Sequence, residues 1–167
     1  AIIYCGIAHA ACSDQARAGV KWGRCYLDEQ NLAGVILDKA DLREARFNRS
    51  DMSGASLNSS VARRAKFVSA NLKGASLENA DLRETDFTNA DPRDARMANA
   101  DLRRARLFRA DLRGADLTGA TLDATDLLKV FADSICFSTN NDYYFGGEPW
   151  LLISPEHAEI LHREGLS

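Results

Sequence analysis

Arginines recur at a fixed interval through the middle of the chain. Four of them are spaced by twenty residues: Arg43, Arg63, Arg83 and Arg103. Guanidinium groups form paired hydrogen bonds with carboxylates and phosphates. If the backbone returns to the same side every twenty residues, these arginines form a strip that could bind phosphate, lipid headgroups or a polyanionic polymer. The alternative is that the chain neutralises the strip itself, through aspartates two residues before three of the arginines: Asp41, Asp81 and Asp101.

The other residue types that could do chemistry have no catalytic or metal-binding spacing. The three histidines, His9, His157 and His162, lie near the ends of the chain, and no Cys or His pair has a zinc spacing. There is no nucleophile elbow, phosphate-binding loop or dinucleotide fingerprint. We therefore expect no catalytic residues, no metal and no cofactor, and we predict that the protein is not an enzyme.

Cys12 and Cys25 are the pair of cysteines that could form a disulfide. They lie on either side of the point where the repeats begin, and a bond between them would clamp the start of the fold in an oxidising compartment. Cys25 also occupies a place that is otherwise filled by small residues, so its size alone could explain it. The sequence leaves both interpretations open.

A five-residue phrase organises the chain from residue 20 to residue 129, with twenty-two copies and no insertion. Its central place is usually leucine, as in Leu37, Leu42 and Leu72, and a small residue stands two places earlier. A helix would spread a period of five around its surface, and a strand would alternate it between two faces. We therefore predict a coil that turns a corner every five residues and buries each central side chain. Two central places depart from this pattern, Ala62 and Pro92, and we expect soft spots there.

A twenty-residue period is superimposed on the five-residue phrase. The central phenylalanines Phe47, Phe67 and Phe87 are twenty residues apart. Glycines at the last place of the phrase follow the same period, where a corner would require positive φ: Gly34, Gly54, Gly74 and Gly114. Both patterns predict four phrases per coil.

The phrase resembles that of the pentapeptide-repeat family, written A(D/N)LXX. It reads ADLRE at residues 40–44, ANLKG at 70–74 and ADLRG at 110–114. The resemblance implies an all-β fold, a right-handed quadrilateral parallel β-helix, which would have about 5.5 coils over the twenty-two phrases. One role known in this family is the protection of DNA gyrase by members with an acidic surface that imitates DNA, whereas here the repeats hold 19 basic and 17 acidic residues.

The two ends of the chain depart from the repeat. Residues 1–10 are apolar and end in Ala8-His9-Ala10, which indicates a signal-peptide remnant, with a short apolar strand or cap as the alternative. We expect an N-terminal cap at residues 11–19. Residues 130–167 are expected to form a C-terminal cap, with a helix near 155–164 that opens at Ser154-Pro155-Glu156. That helix would cover the last coil or join two copies as a dimer.

Two apolar residues, Phe108 and Leu128, are expected to point outward from neighbouring coils and to form a contact with the C-terminal segment or with another protein. The chain has no apolar stretch long enough to span a membrane, and we expect no nucleic-acid binding. The sequence thus predicts a periplasmic or secreted bacterial protein that presents a rigid surface to a protein or anionic partner. The alternative is a DNA mimic that binds or protects gyrase or another topoisomerase.

Overall fold

The computed structural model describes residues 10–132. The chain begins with one turn of 3-10 helix, Ala10–Ser13. From Lys21 to Phe131 the backbone then repeats one bridged residue and one turn every five residues. The expected signal-peptide remnant and the expected helix near residues 155–164 lie outside the described residues.

Parallel bridges join residues that are twenty apart. They run in sequence from Lys21↔Asp41 and Tyr26↔Arg46 to Asp111↔Phe131. Four five-residue sides therefore complete one coil, and the predicted period is confirmed. We call the sides face 1 (20–24), face 2 (25–29), face 3 (30–34) and face 4 (35–39), each together with its repeats at twenty-residue intervals.

Each coil is hydrogen-bonded to the next through two sets of backbone groups. Leu27 N–H donates to the carbonyl oxygen of Arg46 at 2.7 Å, and Arg46 N–H donates back to the carbonyl oxygen of Cys25 at 2.8 Å. This exchange satisfies the backbone groups beside each central side chain. It also fixes every side chain of one coil directly over its counterpart in the coil below.

The core is made of four columns of central side chains, one from each face, and small residues flank each column. Phe47, Phe67 and Phe87 are fully buried, and their rings stack with centroids 5.2 and 5.0 Å apart. Ala40, Ala65 and their equivalents lie beside the column and are also buried. The predicted stacking of the three phenylalanines is confirmed.

Every corner of the repeat has positive φ, whether or not glycine occupies it. Gly34 and Gly114 have φ of 66° and 73°, and Arg24 and Ala124 have 61° and 55° at the equivalent place. The expectation of positive φ at the glycine positions is confirmed. It was too narrow, because seventeen non-glycine residues within residues 10–132 adopt the same conformation.

The N-terminal cap is attached to the first coil by a covalent bond and a hydrogen bond. A disulfide joins Cys12 to Cys25, with 5.5 Å between their Cα atoms. Gly19 N–H donates to the carbonyl oxygen of Asp38 at 2.7 Å. These two bonds hold the expected cap against the first coil, where Trp22 is buried at the central place.

Candidate interaction surfaces

The aspartates and asparagines before the central place hold the turns. Asp51 Oδ1 accepts a hydrogen bond from the N–H of Ser53 at 3.0 Å, and Asn71 Oδ1 accepts one from Lys73 N–H at 3.2 Å. These are Asx-type contacts that satisfy a turn N–H two residues later. These hydrogen bonds explain why the phrase has Asp or Asn before the centre. They also give these side chains a structural role in the turn.

Four phrases without Asp or Asn before the centre use a side chain from the preceding coil instead. Asn48 N–H donates to Asp28 Oδ1 at 2.8 Å, and Asn58 N–H donates to Asp38 Oδ1 at 3.0 Å. Arg46 and Ser56 occupy the place that would otherwise hold the acceptor. Sequence reasoning missed this second source of acceptors, which the residue one place after the centre provides.

The arginine strip of face 1 is paired with the aspartates of the same face. Arg43 donates from Nε and Nη2 to the two carboxylate oxygens of Asp41 at 2.8 and 2.6 Å, and Arg103 binds Asp101 in the same way. Arg83 bridges two coils, since its Nε lies 2.8 Å from Asp81 Oδ1 and 3.3 Å from Asp101 Oδ2. The four guanidinium groups thus share three carboxylates.

Arg63 shows how the strip adapts to a missing aspartate. Val61 stands where the other phrases of the strip have Asp, and Arg63 reaches the next coil, with Nε 2.5 Å from Asp81 Oδ2. Half of its side chain stays exposed. The structure therefore brings Arg43, Arg63, Arg83 and Arg103 together with internal partners.

These pairs keep the carboxylates ionised. The Arg103 guanidinium, hydrogen-bonded to Asp101, holds the pKa of that carboxyl below its usual value, and Arg43 does the same for the pKa of Asp41. Burial acts in the opposite direction and is the smaller influence on both. These carboxylates are therefore ion-paired and stay negatively charged near neutral pH, so they do not act as proton donors or acceptors there.

A second arginine ladder lies on face 3 and was missed in the sequence. Arg93 and Arg113 form two-point hydrogen bonds with Asp91 and Asp111, with Nη2 to Oδ2 distances of 2.6 Å in both pairs. The signal was present, because each arginine follows its aspartate by two residues, as on face 1. Arginine ladders paired in this way thus occur on two of the four faces.

Net charge differs between the faces over residues 20–129. Face 1 has eight basic and six acidic residues, and face 2 has six and four. Face 3 has three and four, and face 4 has two and three. Two neighbouring faces are therefore each +2, and the other two are each −1.

The predicted apolar contact lies near the C-terminal end of face 2. Phe108 and Leu128 occupy the same place in successive coils and are half-buried. The guanidinium of Arg109 lies over the Phe108 ring, 5.7 Å from its centroid. Three large apolar side chains in residues 12–132 are more exposed than these two and were not anticipated: Tyr26, Ile36 and Phe131.

Neither a metal site nor a membrane span is present in the part of the chain that the structure describes. Residues 10–132 contain no cluster of three His, Cys, Asp or Glu side chains arranged to hold a metal ion. No helix in that range is long and apolar enough to cross a membrane. His9, His157 and His162 lie outside the described residues.

Comparisons with known proteins agree with this architecture. Residues 40–127 match the family described as the pentapeptide repeat region. The chain is similar to the solved structure of the pentapeptide repeat protein Rfr23 from the cyanobacterium Cyanothece 51142, with 26% identity and a TM-score of 0.56, over 72% of this chain and 91% of that chain. None of the curated proteins matches the sequence significantly.

Two further similarities are weaker. A pentapeptide repeat protein from the thylakoid lumen of Arabidopsis thaliana is 30% identical over 57% of this chain and 63% of that chain, with a TM-score of 0.36. QnrB1, a plasmid-mediated fluoroquinolone resistance protein, is 16% identical over 74% of this chain and 84% of that chain, with a TM-score of 0.29. Neither supports a functional argument. The matched repeats, the twenty-residue coil and the similarity to Rfr23 show that the chain belongs to the pentapeptide repeat family.

Proposed function

We propose that the protein is a non-enzymatic binding module that presents a rigid surface to a protein partner. The observation that carries this proposal is the two-way backbone ladder, in which Leu27 and Arg46 are one example, because it fixes side chains in columns at the spacing of the coils. A surface fixed in this way loses little conformational entropy on binding. The right-handed sense of the coil and a C-terminal helix near 155–164 are part of the same proposal.

A protein partner is favoured over a purely anionic surface or polymer. The guanidinium groups of Arg43, Arg83 and Arg103 are hydrogen-bonded to Asp41, Asp81 and Asp101. An anion would have to displace these carboxylates, and exposed charge pairs of this kind add little long-range attraction at physiological salt. A protein surface with alternating charges matches such a ladder without disrupting it.

The alternative of a gyrase-binding DNA mimic has no support from the charge distribution. Imitation of DNA requires a continuous negative surface. The most negative faces over residues 20–129, faces 3 and 4, each carry a net charge of only −1, and faces 1 and 2 are positive. We therefore do not propose this role.

A periplasmic or secreted location is proposed on two grounds. The disulfide between Cys12 and Cys25 suits an oxidising compartment. The A-x-A pattern at Ala8-His9-Ala10 suits signal-peptide cleavage. Expression of the gene from its own start, fractionation and intact mass before and after thiol alkylation test both points. We expect a processed, exported product with Cys12 and Cys25 resistant to alkylation; a reduced, unprocessed cytoplasmic product would overturn the location.

Site-specific photo-cross-linking in the native cell tests the binding role. A photoreactive residue replaces one exposed side chain on each face: Arg63, Lys66, Lys73 or Asn79. We expect discrete protein adducts from one face or two adjacent faces, since a partner contacts only one side of the coil. Equal and diffuse labelling from all four positions would contradict the proposal.

Co-sedimentation with vesicles of phosphatidylglycerol distinguishes a protein partner from an anionic surface. At about 0.15 M salt we expect no binding, because the arginine strip is internally paired. Binding that is lost when Arg63 and Arg83 are both changed to Gln would show instead that the strip recognises anionic lipid.

A further inference from the structure

One column of charged side chains changes its pattern along the coil. The corner between faces 2 and 3 carries Glu29 and Arg49 in the first two coils, and these two form an ion pair. At the other end of the column, Arg109 and Lys129 follow one another, joined by the hydrogen bond from Arg109 N–H to the Leu128 carbonyl oxygen at 3.1 Å. Like charges in successive coils repel each other, and no acidic residue separates them.

Apolar side chains lie next to these two cations. Phe108 and Leu128 immediately precede Arg109 and Lys129 in the sequence and are half-buried. We call these four residues the face 2 patch. Arg106, a further cation of the same face, reaches Asp86 only at 3.8 Å and keeps 65% of its side chain exposed. The face 2 patch therefore suits an occupant that carries both carboxylates and apolar groups.

The chain itself continues beside this patch with such a composition. Residues 133–167 contain six acidic residues against Arg163. They also contain five aromatic residues: Phe137, Tyr143, Tyr144, Phe145 and Trp150. This segment follows directly after Ala132, and Val130 begins the side that adjoins Lys129. These thirty-five residues can extend to ~115 Å, so the segment is long enough to contact the face 2 patch.

We propose that the acidic C-terminal segment, residues 133–167, binds the face 2 patch of its own chain. Its carboxylates lie against Arg109 and Lys129, and its aromatic side chains cover Phe108 and Leu128. The contact removes the like-charge repulsion at the end of the column and shields the half-buried apolar pair. An external partner of face 2 would then compete with the segment. The inference does not depend on the identity of that partner.

Zero-length cross-linking of the full chain with a carbodiimide tests the contact. This reagent joins a lysine amine to a carboxylate only when the two are in direct contact. We expect Lys129 to be joined to acidic residues of the segment: Asp142, Glu148, Glu156, Glu159 or Glu164. Lys66 and Lys73, which are exposed on faces 2 and 3 nearer the middle of the coil, serve as internal controls.

Charge reversal supplies the matched comparison. Arg109→Glu leaves the Lys129 amine in place and should lower the yield of its cross-links roughly three- to fivefold. Arg49→Glu lies in the same column three coils away and should leave that yield unchanged. Circular dichroism verifies that both variants are folded.

Mixing chains with and without heavy-isotope labelling separates contacts within one chain from contacts between copies. The proposal predicts cross-linked peptides of a single isotope class. Mixed-isotope products would overturn it by assigning the patch to a second copy. Cross-links from Lys129 no more frequent than those from Lys66 and Lys73, or a yield that Arg109→Glu does not change, would overturn the proposal as well.

Discussion

The carbonyl oxygen of Asp111 receives no backbone hydrogen bond from Pro92, which occupies the place of the donor in the coil below. At the equivalent place one coil earlier, Leu72 N–H donates to the carbonyl oxygen of Asp91 at 2.9 Å. Proline has no N–H, and the bridge between residues 91 and 111 is absent. The reverse bond, from Asp111 N–H to Ala90 O at 3.0 Å, is kept. At Pro92, where a soft spot is expected, the ladder thus lacks one of its two backbone hydrogen bonds.

Pro92→Leu should stabilise the protein. The substitution restores the missing donor, which is worth about 1 kcal/mol, and it supplies the side chain that most other phrases bury. Pro92→Ala restores the donor but removes two buried ring carbons and gives the unfolded chain more freedom, so it should change stability little. Chemical denaturation measures both variants. If Leu destabilises the protein more than Ala does, the site has no room for the larger side chain.

Phe67 should be more sensitive to substitution than Phe47. Phe67 stacks on two rings, and within residues 10–132 Phe47 stacks only on Phe67. Each stacked pair contributes ~0.5–1.5 kcal/mol beyond burial. Phe67→Leu is therefore expected to lower the free energy of unfolding by about that amount more than Phe47→Leu does. Equal losses in denaturant titrations would show that the stacking adds nothing to burial.

Acid should destabilise the coil through the arginine-paired carboxylates. The pKa of Asp101 is lowered, chiefly by its hydrogen bonds from Arg103. A lowered folded-state pKa contributes stability that is present above the unfolded value of about 3.9 and is lost as pH falls through the folded value. Unfolding free energy should therefore decline below about pH 4. Asp101→Asn keeps an acceptor for Arg103 N–H and should reduce this pH dependence, whereas Asp101→Ala should cost ~1 kcal/mol at pH 7 as well.

Two corner glycines should respond differently to alanine. Gly74 has φ of 64° and open space where a methyl group would lie, so Gly74→Ala should cost only the ~1 kcal/mol of a left-handed residue. At Gly114 a Cβ would lie within van der Waals overlap of Asp94 Oδ1. Gly114→Ala should cost more, and Asp94→Ala in the same chain should remove the difference. Identical thermal shifts for the two single variants would contradict this contact.

The coil could be predicted because its signals repeat. A period of five excludes a regular helix or strand, and Phe47, Phe67 and Phe87 set the coil at twenty residues. The internal pairing of Arg43 with Asp41 was also foreseeable, since the two are separated by a fixed step within one phrase. These features depend on spacing, which the sequence contains.

Other features depend on contacts between coils that spacing alone does not reveal. Asp28 accepts the hydrogen bond from Asn48 N–H because Arg46, which stands where other phrases have Asp or Asn, has no acceptor to offer. Arg63 reaches up to Asp81 because Val61 offers no carboxylate. Arg24 and Ala124 adopt positive φ without glycine, since the hydrogen-bonded coil imposes the corner. In each case the tertiary arrangement overrides the local preference of the residue.

The twenty-residue bridge also limits how the length of this chain can change. Loss or gain of five residues would leave every later central side chain in the core, because the phrase stays in register. It would nevertheless turn every later side chain by one face, so that Arg103 would no longer lie above Arg83. Only a change of twenty residues preserves both the core and the surface columns. A duplication or deletion therefore keeps the core intact when its length is a multiple of five residues. It keeps the surface columns intact only when its length is a multiple of twenty.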